Sequence, residues 1–274
     1  MNFKKSSILI VLLAALTANA AFSDDSKGSI TDRKTDIQLF SGILFLSSID
    51  ELYSSLLFSG NGPLYGIKST FQMEKMCHQL SFYYAGIYRS PRNVSAVQHS
   101  TDIASRYSKF QTHFIKIDYF YLHQLGLFKK DYSHFFWSVG LTNTLNITDD
   151  YFLISEIIMS GIAPGFYYQF NRKRNHLSAG LHIPVLVLDY RYSYYTALHQ
   201  DYENLDEKEY FFDNLRLESV NRIFSINIDS GYEYAINQNI GIDVTYAFSY
   251  LSSKYPRSLR SVTNQYTIGM SVKF

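Results

Sequence analysis

From Ile240 to the C-terminal Phe274 the residues alternate in character over two full strand lengths. Ile240, Ile242, Val244, Tyr246, Phe248 and Tyr250 share one parity, and Gly241, Asp243, Thr245, Ala247 and Ser249 share the other. After a polar turn, Tyr266, Ile268, Met270, Val272 and Phe274 alternate with Gln265, Thr267, Gly269, Ser271 and Lys273. A period of two is the period of a strand, because successive side chains leave a pleated backbone on opposite faces. In a soluble sandwich the apolar face meets a second sheet. A lipid-facing strand instead needs about 9 to 11 residues of sustained alternation, with aromatic rings near both interfaces. Both stretches have that length and those rings, so they read as the closing hairpin of a membrane barrel.

The ending also resembles the C-terminal signature of bacterial outer-membrane β-barrel proteins: a terminal Phe274 preceded at every second position by Val272, Met270, Ile268 and Tyr266. The resemblance is to a class. It implies that these five residues form an insertion signature read by the machinery that assembles barrels in the outer membrane.

The N-terminus fits that destination. Lys4 and Lys5 precede an apolar run from Ile8 to Leu16, followed by Ala18-Asn19-Ala20. A basic head, a short apolar run and a small-x-small site predict a signal peptide over residues 1–20, cut after Ala20. The run is too short to span a bilayer as a helix. No Cys follows the cut, which argues against a lipoprotein. Residues 21–34 form a polar periplasmic lead, and 35–274 the barrel.

The mature chain, about 250 residues, has room for one large domain or two small ones. Composition favours one. The chain holds 24 Tyr and 21 Phe but one Trp and five Pro, as a strand-rich aromatic wall requires. The net charge of +1 carries no basic excess for nucleic acid. Cys77 stands alone, so an internal disulfide is excluded, and a buried or lipid-facing thiol is expected. Past the signal peptide, Ser41 to Ser59 comes closest to an apolar span, but Asp50 and Glu51 interrupt it.

The predicted fold is all-β, a transmembrane antiparallel up-and-down barrel of about ten strands, with eight or twelve left open. The first strand is read over Asp36 to Leu46 and has two apolar faces. The second runs over Leu64 to Met73, the third over Leu80 to Tyr88 and the fourth over Tyr107 to Leu125. Phe135 to Thr144 and Ile158 to Phe170 mark the fifth and sixth. Leu177, Ala179, Leu181, Ile183, Val185 and Val187 form one face of the seventh, and Phe224 to Tyr234 the eighth. With both termini periplasmic, every second connection must be a short turn. Those at 74–75, 126–132, 171–175 and 237–239 are short. Most of the others are longer, the exception being the one near Asp149.

The inward parity carries Lys68, Lys116, Asp118, Asp229, Glu233, Asp243 and Lys273, both signs of charge inside one wall. Small barrels are filled by their own side chains, and open channels for bulk solutes need about sixteen strands. Two readings follow: salt bridges that plug the lumen, since buried charges need partners, or a narrow charged pathway for small solutes.

Two enzymatic resemblances have to be weighed. His176-Leu177-Ser178-Ala179-Gly180 resembles the His-x-Ser-x-Gly element of outer-membrane phospholipases, which implies His176 activating a Ser178 nucleophile at the lipid face. The register instead turns both inward, beside a periplasmic turn. Asp149-Asp150 and His199-Gln200-Asp201 in predicted outer loops are similar to the rim residues of omptin proteases. That family pattern wants Asp-x-Asp and Asp-x-His, which this chain departs from in spacing and order.

The loop from Tyr190 to Leu215 is rich in Tyr and in acids, among them Asp201, Glu203, Asp206, Glu207, Glu209 and Asp213. Its carboxylates read as solvated loop charges or as ligands for the divalent cations that bridge lipopolysaccharide. Outer loops are where binding specificity is expected. No Cys/His metal cluster, phosphate loop or dinucleotide fingerprint is present, so no cofactor is called. The expected partners are outer-membrane lipid, lipopolysaccharide and the insertion machinery, with no nucleic acid. The functional expectation is a non-enzymatic outer-membrane protein, plugged with binding loops or narrowly open. The alternative is a barrel-embedded hydrolase.

Overall fold

The computed structural model describes residues 34–50, 54–73, 75–91, 110–126, 133–149, 155–193, 215–254 and 258–274. The predicted signal peptide, 1–20, and residues 21–33 of the predicted periplasmic lead lie outside the described residues. Twelve strands follow in order: β1 Lys34–Asp50, β2 Ser54–Gln72, β3 Met76–Pro91, β4 Phe110–Gln124, β5 Ser133–Asp149, β6 Ser155–Arg172, β7 Asn175–His182, β8 Leu186–Ser193, β9 Arg216–Ser219, β10 Ile223–Ala235, β11 Ile240–Ser253 and β12 Leu259–Lys273.

The ladder runs from β1 through β6 by nearest neighbours and from β10 through β12 in the same way, and β12 pairs antiparallel with β1. The sheet therefore closes on itself, and among the described residues only the four-residue β9, paired with β8 alone, keeps a free side; closure is the condition for strands to live in hydrocarbon. Ten wall positions make up the circuit, because the seventh is shared by β7 and β8 and the eighth by β9 and β10. The expectation of about ten strands holds. Thr35 and Phe274 exchange backbone bonds at the closure, with Phe274 N donating to Thr35 O at 2.8 Å.

Two boundaries differ from the sequence reading. β1 and β2 run well past Leu46 and start well before Leu64, so the long first loop is strand and the connection is only 51–53. Gly60-Asn61-Gly62-Pro63 looks like a turn, but β1 pairs along the whole stretch, and Pro63 falls where the β2–β3 ladder is interrupted, between Asn61 opposite Tyr88 and Leu64 opposite Ala85. Asp149 likewise belongs to β5, opposite Gln111, and not to a loop.

The seventh wall strand is also broken. β6 pairs His182 with Gly165 but Leu186 with Ile162, a shift of one residue across Ile183-Pro184-Val185. This is a β-bulge, with Pro at its centre. Val185 and Leu186 consequently both point outward, at 41% and 37% exposure, and Val187 turns inward at 4%. The predicted grouping of Val187 with Leu177 and Leu181 fails for this reason.

Outside, the wall is apolar: Leu39, Ile43, Tyr65, Ile117, Leu141, Phe166, Ile242, Ile268 and Met270 are all exposed. Near the end that carries the termini, His78, Tyr119, Tyr121, His123 and Trp137 form a ring-to-ring girdle, with His78 Nδ1 2.8 Å from the Tyr119 hydroxyl. Amphipathic rings at such a level suit an interface between lipid tails and water.

Candidate functional site

The interior changes with depth. At mid-lumen, Lys116 and Asp118 stand two apart on β4 and therefore share the inward face. Their Nζ and Oδ2 atoms are 2.8 Å apart, with the side chains almost fully buried. The Lys116 ammonium also lies over the Tyr83 ring, 5.8 Å from its centroid. From the opposite wall, His182 on β7 brings Nδ1 to 3.7 Å from Asp229 on β10. Lys68 on β2 lines the same cavity as these four, together with Gln38, Gln79 and Ser81. Charges of both signs thus sit in one belt across the barrel.

Small residues make room for this belt. A Cβ on Gly180 would collide with the Asp229 carboxylate. Glycine within a strand here marks the close approach of a neighbouring side chain rather than a turn.

Towards the termini a second polar level follows. Lys273 Nζ contacts Glu233 Oε1 at 2.5 Å, and Ser271 Oγ donates to the same oxygen at 3.1 Å. Asp36 stands opposite Lys273 in the β1–β12 register, and Asp243 is 3% exposed two positions before Thr245 on β11. Beside this level Cys77, Leu122, Phe136 and Tyr167 form an apolar cluster. Lys68, Lys116, Asp118 and Asp229 thus line one mid-lumen cavity, Asp243 is buried, and Glu233 and Lys273 pair towards the termini. His182, Phe120, Tyr83 and Asp36 belong with them and were not singled out in the sequence. Parity alone turns His182 inward, but its meeting with Asp229 depends on the β7–β10 register.

The hydrolase candidates are distributed differently. His176 is inward and half-buried, with Nδ1 3.0 Å from Asn171 Oδ1. Ser178 is inward too, its Oγ 2.8 Å from where a Cβ on Gly231 would be. Among the described residues no hydrogen bond joins the pair. Asp150, His199 and Asp201 lie outside the described residues, as do the acids of the longest loop. Among the described residues, no group of three or more His, Cys, Asp or Glu is arranged to hold a metal ion. At the C-terminus Tyr266, Ile268, Met270 and Phe274 are exposed on the outer face, and Val272 shares their parity.

No family model and no curated protein matches the sequence. Solved structures do match the fold. The outer membrane protease OmpT from Escherichia coli superposes with a TM-score of 0.52 at 8% identity, over 92% of this chain and 99% of that one. Neisserial surface protein A gives 0.41 at 11% identity over 88% and 97%, and the translocator domain of the autotransporter NalP from Neisseria meningitidis gives 0.41 at 9% over 97% of each. Antiparallel closure, ten wall positions and the OmpT superposition agree: the chain is a closed antiparallel β-barrel that shares the fold of that outer-membrane structure.

Proposed function

We propose that the protein is an integral, non-enzymatic protein of the bacterial outer membrane whose lumen is closed to bulk solutes at mid-depth. Its termini face the periplasm, and its longer connections carry surface recognition. The single observation behind this reading is the mid-lumen belt of Lys68, Lys116, Asp118, His182 and Asp229, in which Lys116 and Asp118 are joined at 2.8 Å. Ions crossing such a belt must displace paired charges held in a medium of low dielectric, which is costly. Delivery is ascribed to the N-terminal signal peptide, and insertion to recognition of Tyr266, Ile268, Met270, Val272 and Phe274.

Single-channel recording on the refolded mature chain tests the plug. Inserted protein, verified by its heat-modifiable band on a gel, is expected to be silent in a planar bilayer, and the Lys116→Ala/Asp118→Ala double variant to conduct. Discrete steps from the unaltered protein would replace the plug with a charged pathway. The same preparation, offered peptides and phospholipids, is expected to leave both intact. Peptide cleavage lost in Asp149→Ala and His199→Ala, or ester hydrolysis lost in Ser178→Ala, would replace the reading with a hydrolase.

A further inference from the structure

On the outer wall near the terminal end, three neighbouring strands change character together. Along β6 the outward positions run Ile162, Pro164, Phe166, Tyr168, Phe170 and then Arg172, with no break in parity. The register sets Phe170 opposite Leu177 on β7, and Leu177 opposite Tyr232 on β10. At the next outward position it sets Arg172 opposite Asn175 and Asn175 opposite Tyr234. A row of Phe170, Leu177 and Tyr232 is thus followed by a row of Arg172, Asn175 and Tyr234. A guanidinium that continues a lipid-facing parity stands where the strand leaves hydrocarbon for head groups.

The turn that caps these rows is tied down. Arg172 and Asn175 pair across it, Lys173 and Arg174 form its tip, and Ala235 N donates to Arg174 O at 2.8 Å, which fastens the tip to β10. Arg172, Lys173 and Arg174 are all exposed. Among the described residues no carboxylate pairs with any of them. Beside them the Tyr232 hydroxyl donates to Asn175 Oδ1 at 2.7 Å, which occupies the amide oxygen and leaves the NH2 as a donor. The next turn round this end, Asn237-Gln238-Asn239 between β10 and β11, carries no charge. The three consecutive cations therefore mark one sector of the rim.

We propose that this sector, the β6–β7 turn with the outer faces of β6, β7 and β10, binds an anionic phospholipid of the leaflet at the terminal end. Arg172 and Arg174 hold the phosphate, whose oxygens a planar guanidinium can take in pairs. Asn175 and Tyr234 serve as neutral donors, and Lys173 adds a point charge. The acyl chains lie along Phe166, Phe170 and Leu177, of which Phe166 and Leu177 are 53% and 46% exposed. Clustered cations at a bilayer surface favour an anionic head over a zwitterionic one. The apolar row directly below them favours a lipid over a soluble phosphate, because only a lipid covers it. The inference rests on the terminal end facing the periplasm, which makes the lipid a phospholipid rather than lipopolysaccharide.

Native mass spectrometry of the refolded mature chain tests the site, with the barrel released from nanodiscs of equal phosphatidylglycerol and phosphatidylcholine. The retained adducts are expected to be mainly phosphatidylglycerol. That excess is expected to vanish in Arg172→Gln/Arg174→Gln and to persist in Lys254→Gln/Arg260→Gln, which removes the same charge from exposed positions at the opposite rim. Each variant is checked for the heat-modifiable band. Adducts in the proportion of the bulk lipid, or an excess that survives the first variant or falls equally in both, would overturn the site. Glycerol phosphate offered to the protein in detergent is expected to leave no adduct, and an adduct would replace the lipid with a free phosphate. In nanodiscs that also hold lipid A, a preference for lipid A over phosphatidylglycerol would overturn the side assignment and the phospholipid with it. Conductance is a separate readout, so each result leaves the plug to stand or fall by itself.

Discussion

The imidazole of His182 lies against the ring of Phe120, their centroids 4.0 Å apart, although β7 and β4 are separated in the wall by β5 and β6. The contact therefore crosses the lumen. It joins two walls that share no ladder, and both rings line the cavity of the charged belt. Phe120→Ala and His182→Ala are each expected to lower stability by roughly 1–3 kcal/mol. The double variant is expected to lose less than the sum, since each substitution removes the same contact. Urea titration in lipid vesicles, followed by the gel shift, measures the cycle.

Lys116 and Asp118 make a sharper test because both are buried within the barrel. Asp118→Ala leaves a buried ammonium without its carboxylate and is expected to cost roughly 3–5 kcal/mol. Lys116→Met with Asp118→Leu removes both charges and is expected to recover most of that loss. Comparable urea midpoints for the single and double variants would mean that water, not the partner, solvates these charges.

Gly180 reserves space for the Asp229 carboxylate. Gly180→Val is expected to force that carboxylate aside and cost roughly 1–3 kcal/mol by overpacking. Asp229→Ala in the same chain is expected to relieve it. A rescued folded fraction on refolding is the diagnostic, since a glycine needed for backbone freedom would not be rescued by shortening a neighbour.

Among the described residues Lys173 is the one non-glycine residue with a positive φ, 54°, in the two-residue turn between β6 and β7. A side chain with a Cβ there costs roughly 1–2 kcal/mol relative to a right-handed conformation. Lys173→Gly is expected to recover part of this, and Lys173→Asn nearly as much, because both residues suit tight hairpin turns. Refolding yield and urea midpoint should rise together.

The closing hairpin was legible because its two faces differ so strongly in chemistry: Ile242, Val244 and Ile268 face outward, while Asp243, Thr245 and Gln265 are inward. The first strand was harder for a physical reason. Leu39 and Ile43 face out, but Leu44 and Leu46 point into an apolar interior, so both parities look alike and the strand's limits vanish. Gly60 to Pro63 carries turn-like residues inside a paired strand. At Pro184 a single bulge reverses the parity, and no alternation rule survives such a reversal. The belt was half legible. Parity assigns a charge to one face of its strand, but which side chains meet depends on cross-lumen distances, and so the contact of His182 with Phe120 leaves no signal in the sequence.

The bond between Thr35 and Phe274 has a consequence for how the molecule comes into being. The two ends of the barrel chain are its most distant partners in sequence, so joining them carries the largest chain-closure entropy of any pairing in the wall. Until the final strand docks, the sheet is a ribbon with two unsatisfied rims. Each rim is a template for the wrong neighbour as well as the right one. Assembly therefore hinges on protecting an open curl long enough for its last residue to find its first, and the hazard is greatest just before completion.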